Sequence, residues 1–309
     1  MSELRASAEN PKSRGLSVLG ASAAEPPEPS IGHGENGRVL VVDDERLLET
    51  LFEAASAVKE ALSGLSDWRA AGERPDQYHL DLVADAAAVE VLHGAGLRVL
   101  SEESGVTGRD GAGDADDLLG AGDGDDLLVV LDPVDGSTNA SLGIPWFATS
   151  LCVLDGHGAR VAAVVNQSSG TRFDAVRGKG ARRDGRRLAP SGCRKLDEAV
   201  IGVSGLPGHD PGWAQFRALG SAALDHCAVA EGVLDGYRVE GGSYLHGWDY
   251  LGGMLVCTEP GAAVGELDGR DLVPRDAGPR RPVAAATEEL LVELVNSRQR
   301  SARTDQWRM

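Results

Sequence analysis

A continuous apolar run at residues 127–131 leads straight into Asp132, Pro133, Val134, Asp135 and Gly136, and few local sequences leave a chain so little choice. An uninterrupted apolar run of this length reads as a strand buried on both faces. The proline then restricts the chain, and Gly136 permits a sharp bend. Two carboxylates are thereby held a turn apart at the end of a core strand, where they and the Val134 carbonyl can converge on one point. Hard oxygen ligands in that arrangement suit Mg²⁺. Immediately downstream, Gly136, Ser137 and Thr138 open a helix whose free N–H groups and hydroxyls suit an anion such as phosphate. Taken alone, a turn of this kind is often just a tight loop.

The surrounding sequence reads as mixed α/β. Residues 1–37 are rich in Ser, Ala, Gly, Glu and Pro without periodicity and are expected to be a disordered tail. Helical spacing predicts a helix over 44–65 and another over 84–93, followed by a strand at 97–100 with Glu102 just past its end. Residues 105–126 hold seven aspartates and no apolar pattern, which predicts a solvated loop. Strands are expected at 148–154, 160–165 and 199–203, and a hairpin over 172–188 turning at Asp184 and Gly185. Helices are expected at 211–218, 221–231, 250–259 and after Thr287, which caps the last. The catalytic domain is expected over 38–296, in lobes of about 38–190 and 191–296, with 297–309 as a fraying tail.

Composition narrows the function. The 309 residues are 42% hydrophobic and carry a formal net charge of -18, which disfavours a nucleic-acid surface. An acidic protein acting on anionic phosphates must recruit cations. Cys152, Cys193, Cys227 and Cys257 lie far apart with no CxxC spacing, so neither zinc nor a disulfide framework is suggested and a reducing cytoplasm fits. No run approaches the roughly 20 apolar residues of a membrane span, so no membrane partner is expected.

Three ordered segments are more specific than one. Ser101, Glu102, Glu103 and Ser104, the stretch from Leu131 to Asn139, and the pair Trp248 and Asp249 together resemble the inositol monophosphatase superfamily, which includes histidinol-phosphatase, fructose-1,6-bisphosphatase and bisphosphate nucleotidase relatives. Further similarity lies at Asp81 to Asp85, Gly178 to Ala181 and Gly220 to Ala223, so the resemblance spans roughly 44–290. It implies a layered αβαβα sugar-phosphatase sandwich, a homodimer, inhibition by Li⁺, and hydrolysis of a small phosphate ester by a metal-activated water. It also implies that Glu102, Asp132 and the Val134 carbonyl hold one Mg²⁺, that Asp132, Asp135 and Asp249 hold a second, and that Glu102 and Asp85 position a third, weaker ion. Glu102 and Ser137 would activate the water. Asp135, Gly136, Ser137, Thr138, Ser221, Ala222, Glu240 and Asp249 would line the substrate. Individually, Glu102 would ordinarily be a surface carboxylate and Asp249 simply the N-cap of the next helix; only their joint order makes ligation the better reading.

Inositol-1-phosphate or a similar polyol phosphate is the expected substrate. Histidinol phosphate, fructose bisphosphate and 3'-phosphoadenosine 5'-phosphate are alternatives, because such relatives share metal motifs and diverge in pocket loops. Glu240 is set back from Asp249 across Gly241, Gly242 and Ser243, further than the corresponding Glu of many relatives. Two readings compete from outside this enzyme class. One is a catalytically silent relative used for partner binding, which retention of all four carboxylates opposes. The other is a receiver-like signalling module opening at Val39 to Glu45, which lacks the later phosphoacceptor and lysine strands.

Overall fold

The computed structural model describes residues 43–74, 77–108, 127–208, 210–273 and 278–297. The expected tail at 1–37, all but Ser297 of the expected tail at 297–309, residues 39–42 of the receiver-like opening and residues 109–126 of the Asp-rich segment lie outside them. Helix α1 (Asp44–Ser63) starts where Asp43 accepts a hydrogen bond from the Glu45 amide, and it buries Leu47, Leu51, Ala54, Val58 and Leu62 at helical spacing. Helix α2 (His79–Gly94) begins five residues before the alanine-rich run that predicted it. Asp81 in its first turn accepts from the Tyr78 amide at 2.9 Å, satisfying a donor the helix leaves open.

Strands β1 (Arg98–Ser101), β2 (Gly105–Thr107), β3 (Leu128–Asp135), β4 (Ala148–Asp155), β5 (Gly158–Asn166), β6 (Arg172–Val176), β7 (Gly180–Arg183) and β8 (Arg186–Arg187) form one sheet in the order β2-β1-β3-β4-β5-β6-β7-β8. Residues 105–107, expected in a loop, instead pair antiparallel with β1. The predicted hairpin is a three-stranded meander; its last turn has φ of 47° at Asp184 and 78° at Gly185, the positive angles expected there. A short helix, α3 (Ser137–Leu142), follows β3.

The second sheet comprises β9 (Val200–Ser204), β10 (Gln215–Arg217), β11 (Gly236–Val239), β12 (Ala263–Glu266) and β13 (Pro282–Ala285), in the order β10-β9-β11-β13-β12. The helix expected over 211–218 is therefore corrected. Pro211 and Gly212 break helical continuity, and Gln215 to Arg217 pair in parallel with β9, a long-range partner that local spacing does not report. Helices α4 (Ala222–Ala230) and α5 (Gly247–Thr258) form a layer between the sheets, and α6 (Glu288–Ser297) covers the outer face, its start capped by Thr287.

Alternation along the strands divides the core. Val129 and Leu131 pack with α1 and α2, whereas Leu128 and Val130 pack with α4 and α5. In the second sheet, Tyr237 and Val239 face that same middle layer, while Ile201, Val203, Val283 and Ala285 pack with Leu290, Leu291 and Leu294 of α6. The result is the expected αβαβα order of layers. Among the described residues no helix is long and apolar enough to cross a membrane.

Candidate active site

Pro133 cannot donate to a sheet ladder, so a central strand tolerates it only at an irregularity. Strand β3 supplies one: Asp132 pairs with Ser150 and Asp135 with Ala148, so three steps on β3 oppose two on β4. This bulge re-aims the side chains on either side of the proline. Thr149 donates to the Pro133 carbonyl at 2.9 Å, and Gln167 donates both to Thr149 (2.7 Å) and to the Ala55 carbonyl of α1 (2.9 Å). The Val134 amide donates to Asp132 Oδ1 at 3.0 Å.

Glu102 arrives by strand register. Ser101 lies beside Leu131 in the parallel β1–β3 pair, and the Glu102 amide donates to the Leu131 carbonyl at 3.2 Å, so the next residues on the two strands emerge side by side. Asp249 comes from α5, where it occupies the third helical position and accepts from the His246 amide at 2.6 Å; the N-cap is His246, not Asp249 as its sequence position suggested. Close helix packing brings it in. A Cβ on Gly252 would stand 2.6 Å from Ser150 Oγ and one on Gly253 2.7 Å from the Ala223 carbonyl, so only glycines let α5 lie this near β4 and α4.

One carboxylate oxygen each from Glu102, Asp132 and Asp249 lies within 4.8 Å of the others. Asp135 is beside them but differently engaged. Ser221 Oγ and the Ala223 amide donate to its Oδ2 at 2.6 and 2.7 Å, and the Ala222 amide to Oδ1 at 3.3 Å, so the N-terminus of α4 clamps it. Asp85, on α2, accepts a short hydrogen bond from the Ser101 hydroxyl, one residue before Glu102. Ser137 and Thr138 form the first turn of α3 after Gly136, whose φ is 91°. Val134 is buried in the bulge.

Glu240 is not brought to this group. Strand alternation turns Arg238 and Glu240 away from the middle layer: Arg238 binds the Glu240 carboxylate, the Leu294 carbonyl and Ser297 Oγ, and its guanidinium lies 5.1 Å from the Trp213 ring. Both members of the pair are buried. His246 stacks on Trp248, with ring centroids 4.7 Å apart, and Arg217 is exposed and bonded to Gln215 and the Phe216 carbonyl.

The electrostatics of the group call for a cation. Burial, followed by the charges of Glu102, Asp135 and Asp249, pushes Asp132 well above the usual carboxylate range. Burial and then Asp135 and Glu102 do the same to Asp249. Glu102 stands at the open rim, yet desolvation of its carboxyl and then the neighbouring charges of Glu103, Asp81 and Asp135 push it up to about 7. Burial raises Asp135 to about 6, opposed by its bonds from Ser221, Ala223 and Ala222. Among the described residues no Lys or Arg is ion-paired to Glu102, Asp132 or Asp249. Like charges gathered without a counterion are costly, and a hard divalent cation removes the cost. These residues fit such an ion.

Sequence reading gave no site role to Asp81, Glu103, Ala223 or Asn139, although all four lie in the segments that carry the resemblance. Glu103 receives short hydrogen bonds from Arg74 and Gln77, Asp81 raises Glu102, and Asn139 ties the bulge segment to the start of α4 through the Trp146 and Leu219 carbonyls, each at 2.7 Å. For Ala223 there was also a local signal: a serine before an apolar helical run marks the N-cap whose following amides are free.

Residues 43–303 match the inositol monophosphatase family. The chain is 33% identical over 225 residues to a fructose-1,6-bisphosphatase/inositol-1-monophosphatase of Archaeoglobus fulgidus, covering 70% of this chain and 82% of that protein. It is 26% identical over 263 residues to the Nus factor SuhB of Haemophilus influenzae, covering 79% and 87%. In structure it resembles an inositol monophosphatase from Anabaena with a TM-score of 0.66 at 24% identity, over 85% of this chain and 99% of that one. The match to the family covers most of the chain, and the overall fold agrees with it: this protein belongs to the inositol monophosphatase family and is a phosphoric monoester hydrolase of that kind.

Proposed function

We propose that the protein hydrolyses a small phosphate monoester, inositol-1-phosphate or a similar polyol phosphate, with Mg²⁺ as cofactor. The convergence of Glu102, Asp132 and Asp249 from three separate segments carries the reading. Glu102, Asp132 and the Val134 carbonyl would hold one ion; Asp132, Asp135 and Asp249 a second; Glu102 and Asp85 help position a third. When bound, Mg²⁺ neutralises the phosphate oxygens, acidifies water and stabilises the departing alkoxide. Glu102 and Ser137 orient the attacking water, and Glu102 accepts its proton. Gly136, Ser137 and Thr138 offer backbone N–H groups and hydroxyls to the phosphate. Ser221 and Ala222 border the substrate while holding Asp135. Glu240 takes no part, because Arg238 occupies its carboxylate.

The test is phosphate release from inositol-1-phosphate, histidinol phosphate, fructose bisphosphate and 3'-phosphoadenosine 5'-phosphate in millimolar Mg²⁺, with Asp132→Asn as control. Release from the first, abolished in the control, supports the reading. Release only from the bisphosphates moves the substrate toward the bifunctional Archaeoglobus relative, and no release from any of them overturns the assignment. One observation favours a second role: a relative similar over 263 residues is named a Nus factor. Retained partner binding by Asp132→Asn protein would support it. We further assign the catalytic domain to 38–296, in two lobes, and the protein to the cytoplasm, where its buried free thiols Cys152, Cys227 and Cys257 suit a reducing compartment. The homodimer expected from the family is read by sedimentation.

A further inference from the structure

The clamp on Asp135 is tied to the rest of the fold by a hydrogen bond that no catalytic group shares. Trp146, in the loop between α3 and β4, donates its indole N–H to Asp225 Oδ1 at 2.9 Å. Asp225 lies four residues beyond Ser221, in the first turns of the helix whose Ala222 and Ala223 amides hold Asp135. It is fully buried, and its Oδ2 has no hydrogen-bond partner among the described residues. A carboxylate so placed would be a costly ion, whereas a neutral carboxyl accepting one indole bond is tolerable. Burial does push Asp225 well above the usual carboxylate range, opposed by the Trp146 bond. The Trp146 carbonyl meanwhile accepts from Asn139 and lies 3.1 Å from where a Cβ on Gly136 would sit, so one residue touches both the start of α3 and the body of α4.

We propose that Trp146 and Asp225 are positioning residues: their hydrogen bond locks α4 against the loop after α3, fixing the Ala222 and Ala223 amides on Asp135 and thereby the divalent-cation affinity of the site. This rests on the reading of the carboxylate group as a metal site. Neither residue has a hydrogen bond to Glu102, Asp132, Asp135 or Asp249. Their effect is carried by the helix, as outer partners of a ligand act by orienting it.

The experiment is Mg²⁺ titration calorimetry on the full chain, with hydrogen exchange at the Ala222 and Ala223 amides, for wild type, Trp146→Phe, Asp225→Asn, Asp225→Leu and the Trp146→Phe/Asp225→Leu double variant. Trp146→Phe is expected to weaken Mg²⁺ binding about tenfold or more and to speed exchange at both amides. Asp225→Asn, which keeps the accepting oxygen and the neutral charge, should bind within about twofold of wild type. The double variant should be no weaker than Trp146→Phe, since both changes remove one bond. If Trp146→Phe does not fold, Asp225→Leu carries the same comparison. Lower melting temperatures with unchanged Mg²⁺ affinity and exchange would make the pair a core strut and overturn the proposal, as would an Asp225→Asn variant as weak as Trp146→Phe. A wild type that takes up no Mg²⁺ sinks the metal reading itself, and this inference with it.

Discussion

Asp132 and Glu240 are both acidic, both buried and both near strand ends, yet their surroundings assign them opposite work. Asp132 faces other carboxylates and, among the described residues, has no cationic side chain paired to it; Glu240 is matched by Arg238 in a buried ion pair. Removing the Asp132 charge should therefore abolish function while sparing the fold. We expect Asp132→Asn to lower phosphate release at least about 100-fold, beyond the 10- to 100-fold effect of outer partners alone, with its melting temperature no lower than that of the metal-free wild type. For Glu240→Ala the expectation reverses. It strands Arg238 in the core and should cost about 3–5 kcal/mol of stability in denaturant titration, while KM for the phosphate ester stays unchanged. A raised KM in folded Glu240→Ala protein would return Glu240 to the substrate site.

At the scale of elements, the β3 bulge, the turn at Gly136 and the start of α4 act as one unit. Gly136 has φ of 91°, and a Cβ there would meet the Gly220 carbonyl at 2.8 Å and the Trp146 carbonyl at 3.1 Å. Gly136→Ala must both strain the backbone and push α3 from α4. It should destabilise by more than about 1 kcal/mol and lower kcat, read by thermal melts and phosphate release. An active, equally stable Gly136→Ala enzyme would show that the turn can give way without cost and that α3 and α4 are not held this close by Gly136. Elements also mark where local reading succeeds. The apolar spacing of α1 and the unbroken run in β3 specify structure by themselves, because burial on one or both faces writes a period into sequence. Strand β10 does not announce itself: its three residues are exposed, and their conformation comes from pairing with β9.

Across the whole molecule, the carboxylate group links stability to pH and to metal. Glu102 is raised from 4.5 to about 7, and Asp132 and Asp249 are raised as well. The folded metal-free protein then binds more protons than the unfolded chain, so its stability is greatest below the unfolded values and falls as pH rises from about 4.5 through 7. Metal-free protein should melt lower at pH 8 than at pH 5.5. Mg²⁺ should restore the loss, by about 2.7 kcal/mol at a hundred times Kd, and more effectively at pH 8 because the ligands must be ionised. A metal-free melting temperature that climbs between pH 5.5 and 8 would contradict the crowding of these acids. By itself the sequence determined the strand that runs into Asp132, the turn at Gly136 and the helix that begins near Ser221, because each is written in consecutive residues, and the family, because three short motifs keep their order along the chain. Only the tertiary structure decided that Glu102 emerges beside Asp132 through parallel register, that glycines draw Asp249 in on α5, that α4 clamps Asp135, and that Glu240 faces Arg238. Periodicity reports which side of an element is buried; what lies across from it depends on how layers stack, and that is a property of the assembled core.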